Sequence, residues 1–392
     1  MTNRSHTPIA AALLASLVAA PVVSAQGAER FSLPGNAAIY NLAGDVVIEP
    51  GTAAGTVVEL SRGGADAARL TIDVGEIEGW NTLRVRYPDD RIVYPRLPGR
   101  SQVSLGVDDN GLFGQSWSGR TPDASATGGV LRMIGLGAGR RVTIRGSGSG
   151  LEAYADLRIL VPPGRTVAVH VGAGTARASN VEGSLFIETH NGGIQASRHR
   201  GELRLDTGSG DIQATSGRGN LYIDTGSGSV AADDYSGDVL SIDTGSGSIR
   251  AASLEFGRAG VDTGSGNVEI TSVTARDGLD VDTGAGSITL ARVAADAIVL
   301  DTGSGRVSVE LLSRAPSLAI DTGSGSVTLS VPSDLSAALD LETGSGGIDV
   351  DLPIRVERRE RDELRATVGD GRGSIRVETG SGGIRIRSAS IR

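Results

Sequence analysis

The sequence predicts an all-β fold: a right-handed parallel β-helix, or β-solenoid, of ~19-residue coils, preceded by a small β-rich N-terminal module. Three observations predict it. The pentapeptide Asp-Thr-Gly-Ser-Gly, or a close variant, begins at Asp206, Asp224, Asp243, Asp262, Asp282, Asp301, Asp321, Glu342 and Glu378. Successive gaps are 18, 19, 19, 20, 19, 20, 21 and 36 residues. A period of this length marks one short unit stacked on copies of itself. Apolar and polar residues also alternate on both sides of the motif, as in Leu203-Arg204-Leu205-Asp206-Thr207 and Asp211-Ile212-Gln213-Ala214. Period two means strand, with at least two strands per coil and Leu203, Leu205, Ile212 and Ala214 pointing inward. Finally, Gly supplies 58 of 392 residues, about double the usual ~7%. The excess is periodic, so it reflects repeated turns.

Identical units stack in parallel ~4.8 Å apart. A parallel connection within one sheet is overwhelmingly right-handed. Gaps drifting from 18 to 21 also depart from the hexapeptide rhythm of left-handed coils. Aromatics are only 3% of the chain, so small aliphatic residues must fill a narrow core.

Residues 1–25 read as an export signal. Arg4 gives a positive start, Ile9 to Val23 an apolar run, and Val23-Ser24-Ala25 a cleavage site before Gln26. The run is shorter than the ~20 residues that span a bilayer. No second such run follows, so the mature chain is expected to have no transmembrane segment and to be periplasmic or secreted. There is no Cys, hence neither a disulfide framework nor a lipid-bearing Cys. The net charge of −9 carries no nucleic-acid footprint, and every basic residue is Arg.

Residues 26–154 read as the β-rich module, with strands around Ala38–Leu42, Gly44–Ile48, Val57–Leu60 and Leu70–Val74. It holds Trp80, Tyr87, Tyr94, Phe113 and Trp117, and Asp108 to Thr127 reads as an exposed loop. Such aromatics form either the module's core or a sugar-stacking surface; the core is the better reading. Residues 155–392 are the β-helix, expected to hold 11 or 12 coils. A charge-dense interruption at 355–365 precedes a final repeat and accounts for the gap of 36, close to two periods.

Within the motif, Gly208, Gly226, Gly245, Gly264, Gly284, Gly303, Gly323, Gly344 and Gly380 are expected at positive φ in a sharp corner. The Thr suits a strand and a hydroxyl ladder. The acids would line up ~4.8 Å apart and repel by about 3–4 kcal/mol at an effective dielectric of ~20. The expected remedy is local: each Asp accepts the N–H groups of the following Gly and Ser in an Asx-turn, which lowers its pKa. The alternative is a Ca²⁺ shared between coils, but the Gly-Gly-x-Gly-x-Asp nonapeptide of calcium-binding β-rolls is absent.

The acid line extends backward to Glu188, and 18 residues earlier to His170, an expected ion pair at its N-terminal end. His190 and His199 lie nearby, but no zinc-ligand spacing occurs, so neither a metal nor another cofactor is expected. Nor is a catalytic residue. Each acid recurs with the same neighbours, and no nucleophile elbow, phosphate loop or metalloprotease helix is present.

Ala155-Asp156-Leu157-Arg158-Ile159-Leu160-Val161-Pro162-Pro163-Gly164, the run Glu342 to Ile348, the Arg-rich insert, Gly369-Asp370-Gly371 and the closing Glu378 to Ile384 resemble the bacterial putative adhesin family, exported β-helix proteins with a domain of unknown function. The resemblance implies fold and export, and carries no catalytic residues. Function then lies between a non-enzymatic envelope or secreted scaffold, meeting an envelope protein or glycan, and a carbohydrate-active β-helix enzyme. A broken repeat with an isolated acid cluster would mark the enzyme.

Overall fold

A computed structural model describes residues 22–23, 28–98, 101–114, 139–314 and 316–389. The expected export signal lies outside these residues except for Val22–Val23, as do Trp117 and the stretch running to Thr127. Among the described residues the chain is built almost wholly of strands, with one 3-10 turn at Ala67–Arg69 and no α-helix. The strands pair in parallel, coil upon coil, in a β-solenoid.

One coil shows the plan. Side a is Leu240 to Thr244, and Gly245-Ser246-Gly247 turns the corner. Side b is Ile249 to Ala252. Ser253, at φ 56°, turns a second corner, and Leu254 to Phe256 form a short side c. Leu240, Ile242, Ile249, Ala251, Leu254 and Phe256 point inward and are buried, while alternate residues face solvent. Burial of this apolar row, ~25 cal/mol per Å², holds each coil to its neighbours.

Side c explains the drift in the period. From the first inward residue of side a to the second corner is 13 residues in seven successive coils: 167 to 180, 185 to 198, 203 to 216, 221 to 234, 240 to 253, 259 to 272 and 279 to 292. From that corner to the next side a is 5, 5, 5, 6, 6, 7 and 6 residues (to 185, 203, 221, 240, 259, 279 and 298). The widest case contains an irregularity after Phe256, where Arg258 pairs with Gly278. Sides a and b are thus fixed, and side c absorbs the variation.

The coils whose side a starts at 165, 183, 203, 221, 240, 259, 279, 297, 317, 337 and 373 make eleven after residue 155. Another precedes them in the chain. Ala37–Ala43 pairs in parallel with Arg165–Ala173, and Val46–Pro50 with Ala176–Ser179. The 154/155 division therefore divides the chain but not the stack: residues 51–164 leave the stack and return to it. On the way, Trp80–Arg86 adds below Ala37–Ala43, and Tyr154–Val161 below Val46–Pro50. Antiparallel Thr71–Ile77 and Thr56–Gly63 then close that end. A four-stranded sheet of Leu151–Glu152, Arg91–Val93, Arg140–Arg145 and Gln102–Val107 completes the excursion. Arg96 fastens it down, bridging Asp45 (2.9 Å) and Asp156 (2.8 Å).

The far end is not stacked in chain order. Ser317–Thr322 pairs with Gly373–Thr379, which pairs with Ala337–Thr343. The final repeat is thus inserted between the two coils that precede it in sequence. Antiparallel Glu363–Val368 and Ile354–Arg359, the charge-dense interruption, cover the outer edge of Ala337–Thr343. Antiparallel covers at both ends blunt edges that would otherwise pair with other chains.

Candidate functional site: the carboxylate row and its histidine end

The registers align the acids in one row on the outer face of side a: Glu188, Asp206, Asp224, Asp243, Asp262, Asp282, Asp301, Asp321, Glu378, Glu342. Glu378 precedes Glu342 because of the inserted coil. Each Thr one residue on points inward and is buried.

The corner is held by the Thr, not by the acid. Thr263 donates its hydroxyl to the Gly247 carbonyl of the coil before (2.9 Å) and accepts from Gly266 N–H (3.1 Å). Thr283 repeats this with Gly266 and Gly286, at 2.9 and 3.0 Å. Gly264 N–H goes to the Thr244 carbonyl (3.1 Å). The expected hydroxyl ladder occurs where Thr189 meets Thr207 at 2.8 Å; elsewhere the hydroxyl turns to a glycine carbonyl.

The glycine amide of the expected Asx-turn is thus taken by the coil before, and the electrostatic corollary fails with the turn. Burial pushes the Asp206 carboxyl well above its usual range, with Glu188 and Asp224 adding to it. Asp224 is raised to about 6, by burial and then by Asp243. Asp243, Asp262, Asp282 and Asp321 are also raised, each by burial first; neighbouring acids add to this at Asp262, Asp282 and Asp321. At these six positions the charged form is disfavoured, the opposite of the lowering that amide donors produce.

The glycine expectation is corrected as well. Gly264 and its counterparts in the other motifs are not at positive φ. A Cβ on Gly264 would lie 2.5 Å from the Gly245 carbonyl oxygen, and one on Gly266 would fall on that of Gly247. Glycine is required by the close approach of stacked corners. In the early coils Gly174, Gly192 and Gly210, which end the first corner, are at positive φ; the non-glycine residues of the stack at positive φ lie at the second corner, on Asn180, Arg198, Ser216, Asp234, Ser253, Ser272 and Arg292. Those types vary from coil to coil, so no sequence signal marked them.

The row ends in a buried cluster. Tyr40, His170, Glu188 and Asp206 follow one another in register. The Tyr40 and His170 rings stack at 4.4 Å and 3°. His170 Nδ1 lies 2.8 Å from Glu188 Oε2, so the ring and carboxylate pair as expected from the spacing, and His190 Nδ1 is 3.8 Å from Oε1. His170 and Glu188 are 1% and 2% exposed. Phe113 covers them, edge-on to Tyr40 at 5.8 Å and to His170 at 6.5 Å. Gly114 sits so close that a Cβ there would collide with the Glu188 carboxylate. Burial raises Tyr40 to about 12 and lowers His190.

His199 lies apart from this cluster, on side c, with Nε2 3.1 Å from the Glu202 carbonyl. Among the described residues no group of three or more His, Asp or Glu is arranged to hold a metal ion. Of the aromatics, Tyr87, Tyr94 and Phe113 are buried, and Trp80 packs against Ala38, Ala168 and Phe186. They form core rather than a sugar platform.

Sides, corners and stacked register define a non-globular class, the parallel β-solenoid. Within it, residues 201–387 match the family described as Toastrack DUF4097, a domain of unknown function with a β-solenoid-like fold. No curated protein matches. The crystal structure of a putative cell adhesion protein from Clostridium sporogenes aligns over 94% of this chain and 100% of its own, at 11% identity and a TM-score of 0.17. At that score the likeness carries no argument.

Proposed function

We propose that this chain is a non-enzymatic, exported scaffold of the cell envelope or its surroundings that meets its partner, an envelope protein or glycan, along its stacked faces. One observation carries the reading. The row departs from its repeat at His170, Glu188 and His190, where a reaction centre would be sought, and that departure lies beneath Phe113 and Gly114. A catalytic acid needs reach to its substrate, whereas Glu188 is 2% exposed. The acids that are exposed recur with near-identical neighbours in successive coils. A match to a domain of unknown function fits a scaffold, and the adhesion-protein description of the C. sporogenes structure belongs to that protein.

The test pairs a pull-down from envelope proteins and glycans with a polysaccharide depolymerisation assay on the same preparation. Specific capture without release of reducing ends is the expected result. Depolymerisation that Glu188→Gln abolishes would establish the carbohydrate-active reading instead. Cell fractionation tests export, and mature protein confined to the cytoplasm would refute it.

A further inference from the structure

Side c carries an arrangement that the carboxylate row does not use. In the coils leaving Asn180, Arg198 and Ser216 it is five residues wide, and in the next, leaving Asp234, it is six. Where narrow coils meet wider ones, an open groove of ≈ 980 Å³ runs from Asn180 to Glu255.

Three arginines line it. Arg200 and Arg218 are exposed and stand in register one coil apart. Arg198 stands at the left-handed corner, two residues before Arg200, and donates from Nε to Asn180 Oδ1 at 2.6 Å. Among the described residues Arg200 and Arg218 have no side-chain hydrogen bond and no carboxylate within 4.0 Å. Other arginines, among them Arg141, Arg258 and Arg306, also lack such a partner; what sets Arg200 and Arg218 apart is that two such guanidiniums stand in register on adjacent coils. Farther along, Arg250 reaches Glu269 at 2.9 Å, Arg276 reaches Glu255 at 3.6 Å and Arg385 reaches Asp349 at 3.3 Å. Two guanidiniums on adjacent coils, ~4.8 Å apart along the stack, repel one another unless an anion lies between or across them.

The same row fixes what kind of anion fits. Its order is Glu182, Arg200, Arg218, Ser236, Glu255. An acid closes each end, so a polymer with a charge on every unit would meet like charge at both. Nucleic acid, with one phosphate per ~3.4 Å of strand, is such a polymer. A chain of hydroxyl-bearing units with spaced acidic groups meets the row well. Its hydroxyls donate to Glu182, Glu255 and Ser236, and its anion takes the planar fork of Arg200 and Arg218. The four steps from Glu182 to Glu255 span roughly 19 Å, room for an oligosaccharide segment.

We propose that this groove binds a linear acidic polysaccharide, with one pendant carboxylate or sulfate held by Arg200 and Arg218 and positioned by Arg198. This rests on the non-catalytic binding role proposed above and names its ligand class. The test measures binding of the full chain to immobilised hyaluronan (a carboxylate on alternate sugars), κ-carrageenan (a sulfate on alternate sugars) and neutral dextran, at low and at moderate ionic strength. The first two separate carboxylate from sulfate. Arg200→Gln/Arg218→Gln is compared with Arg250→Gln/Arg385→Gln, which removes the same charge outside the groove, and both are checked by thermal melting. The expected result is retention on one or both acidic polymers, weakened about tenfold or more by the groove variant and little changed by the control, with melting unaltered. Equal weakening by both variants, equal retention on neutral dextran, or full competition by inorganic sulfate at the concentration of polymer groups would overturn the site. Absence of acidic-glycan binding, with envelope capture intact, would sink this ligand and spare the scaffold. Release of reducing ends would refute the scaffold itself.

Discussion

Replacing Asp224 by Asn separates a carboxylate row that is held from one that is endured. Asp224 is raised from 3.8 to about 6 by burial and then by Asp243. A carboxyl so displaced disfavours its ionised form by ~3 kcal/mol at most. Its side chain is nevertheless exposed along one edge, and solvent screening reduces its share to about 1 kcal/mol. The sign follows from protonation. Below about pH 4 the group is neutral in both folded and unfolded chains and costs nothing. As pH rises through about 6, the folded chain must carry an ion that the unfolded chain solvates better, so stability is lost. Asp224→Asn should therefore be near neutral at pH 4 and stabilising by about 1 kcal/mol at pH 8. Long repeat arrays do not unfold in a single step, so the assay is hydrogen exchange of amides in 203–233 at both pH values, with melting temperature beside it. If Asn destabilises at pH 8, the ionised carboxylate has donors or a cation, and the reasoning fails.

Gly266→Ala should destabilise by several kcal/mol, because its Cβ would fall on the Gly247 carbonyl and backbone cannot yield as a side chain does, whereas Ser265→Ala should cost about 1 or less; equal melting temperatures would disprove the close-approach account. Thr263→Val keeps the shape and removes both corner bonds; leaving a buried amide and carbonyl unpaired should cost about 1–3 kcal/mol, read as faster exchange confined to neighbouring coils. His170→Phe keeps the stack on Tyr40 and deprives Glu188 of a 2.8 Å partner, so a loss of about 2–3 kcal/mol is expected, and an unchanged melt would show that the pair does not help seat the 108–114 segment. Chelator should leave the wild-type melting temperature unchanged, and a marked drop would point to cations in the row.

What the sequence discloses follows from what repeats. The inward rows of sides a and b and the acid alignment are legible because the same residue types recur at a fixed interval. Leu203, Leu205, Ile212 and Ala214 point inward as their alternation requires. Side c was missed because it is short, and its corner is filled by Asn, Arg, Ser or Asp, types with no shared preference for positive φ. The role of the motif's Gly was misread because a glycine looks the same whether φ or a neighbouring backbone demands it. The pKa direction went wrong with the amide donors: Gly245 N–H, one of the two expected at Asp243, goes instead to the Thr225 carbonyl, a partner that only stacking brings near. The order of the last two coils was beyond reach, since Glu342 to Ile348 and Glu378 to Ile384 are the same seven residues. Either could lie on Asp321.

That inserted coil gives the molecule an unusual mechanical end. A strand at the tip of a stack peels away one hydrogen bond at a time. Gly373–Thr379 instead has both edges engaged, to Ser317–Thr322 below and Ala337–Thr343 above, and Ile384–Ser388 is likewise flanked by Val327–Val331 and Ile348–Asp351. Tension entering through Ala389 must shear two interfaces together, whereas the hairpin of Ile354–Arg359 and Glu363–Val368, held to the stack along one edge, should open under thermal fraying before Gly373–Thr379 does. A load carried through Ala389 would thus be borne by a strand clamped inside the stack.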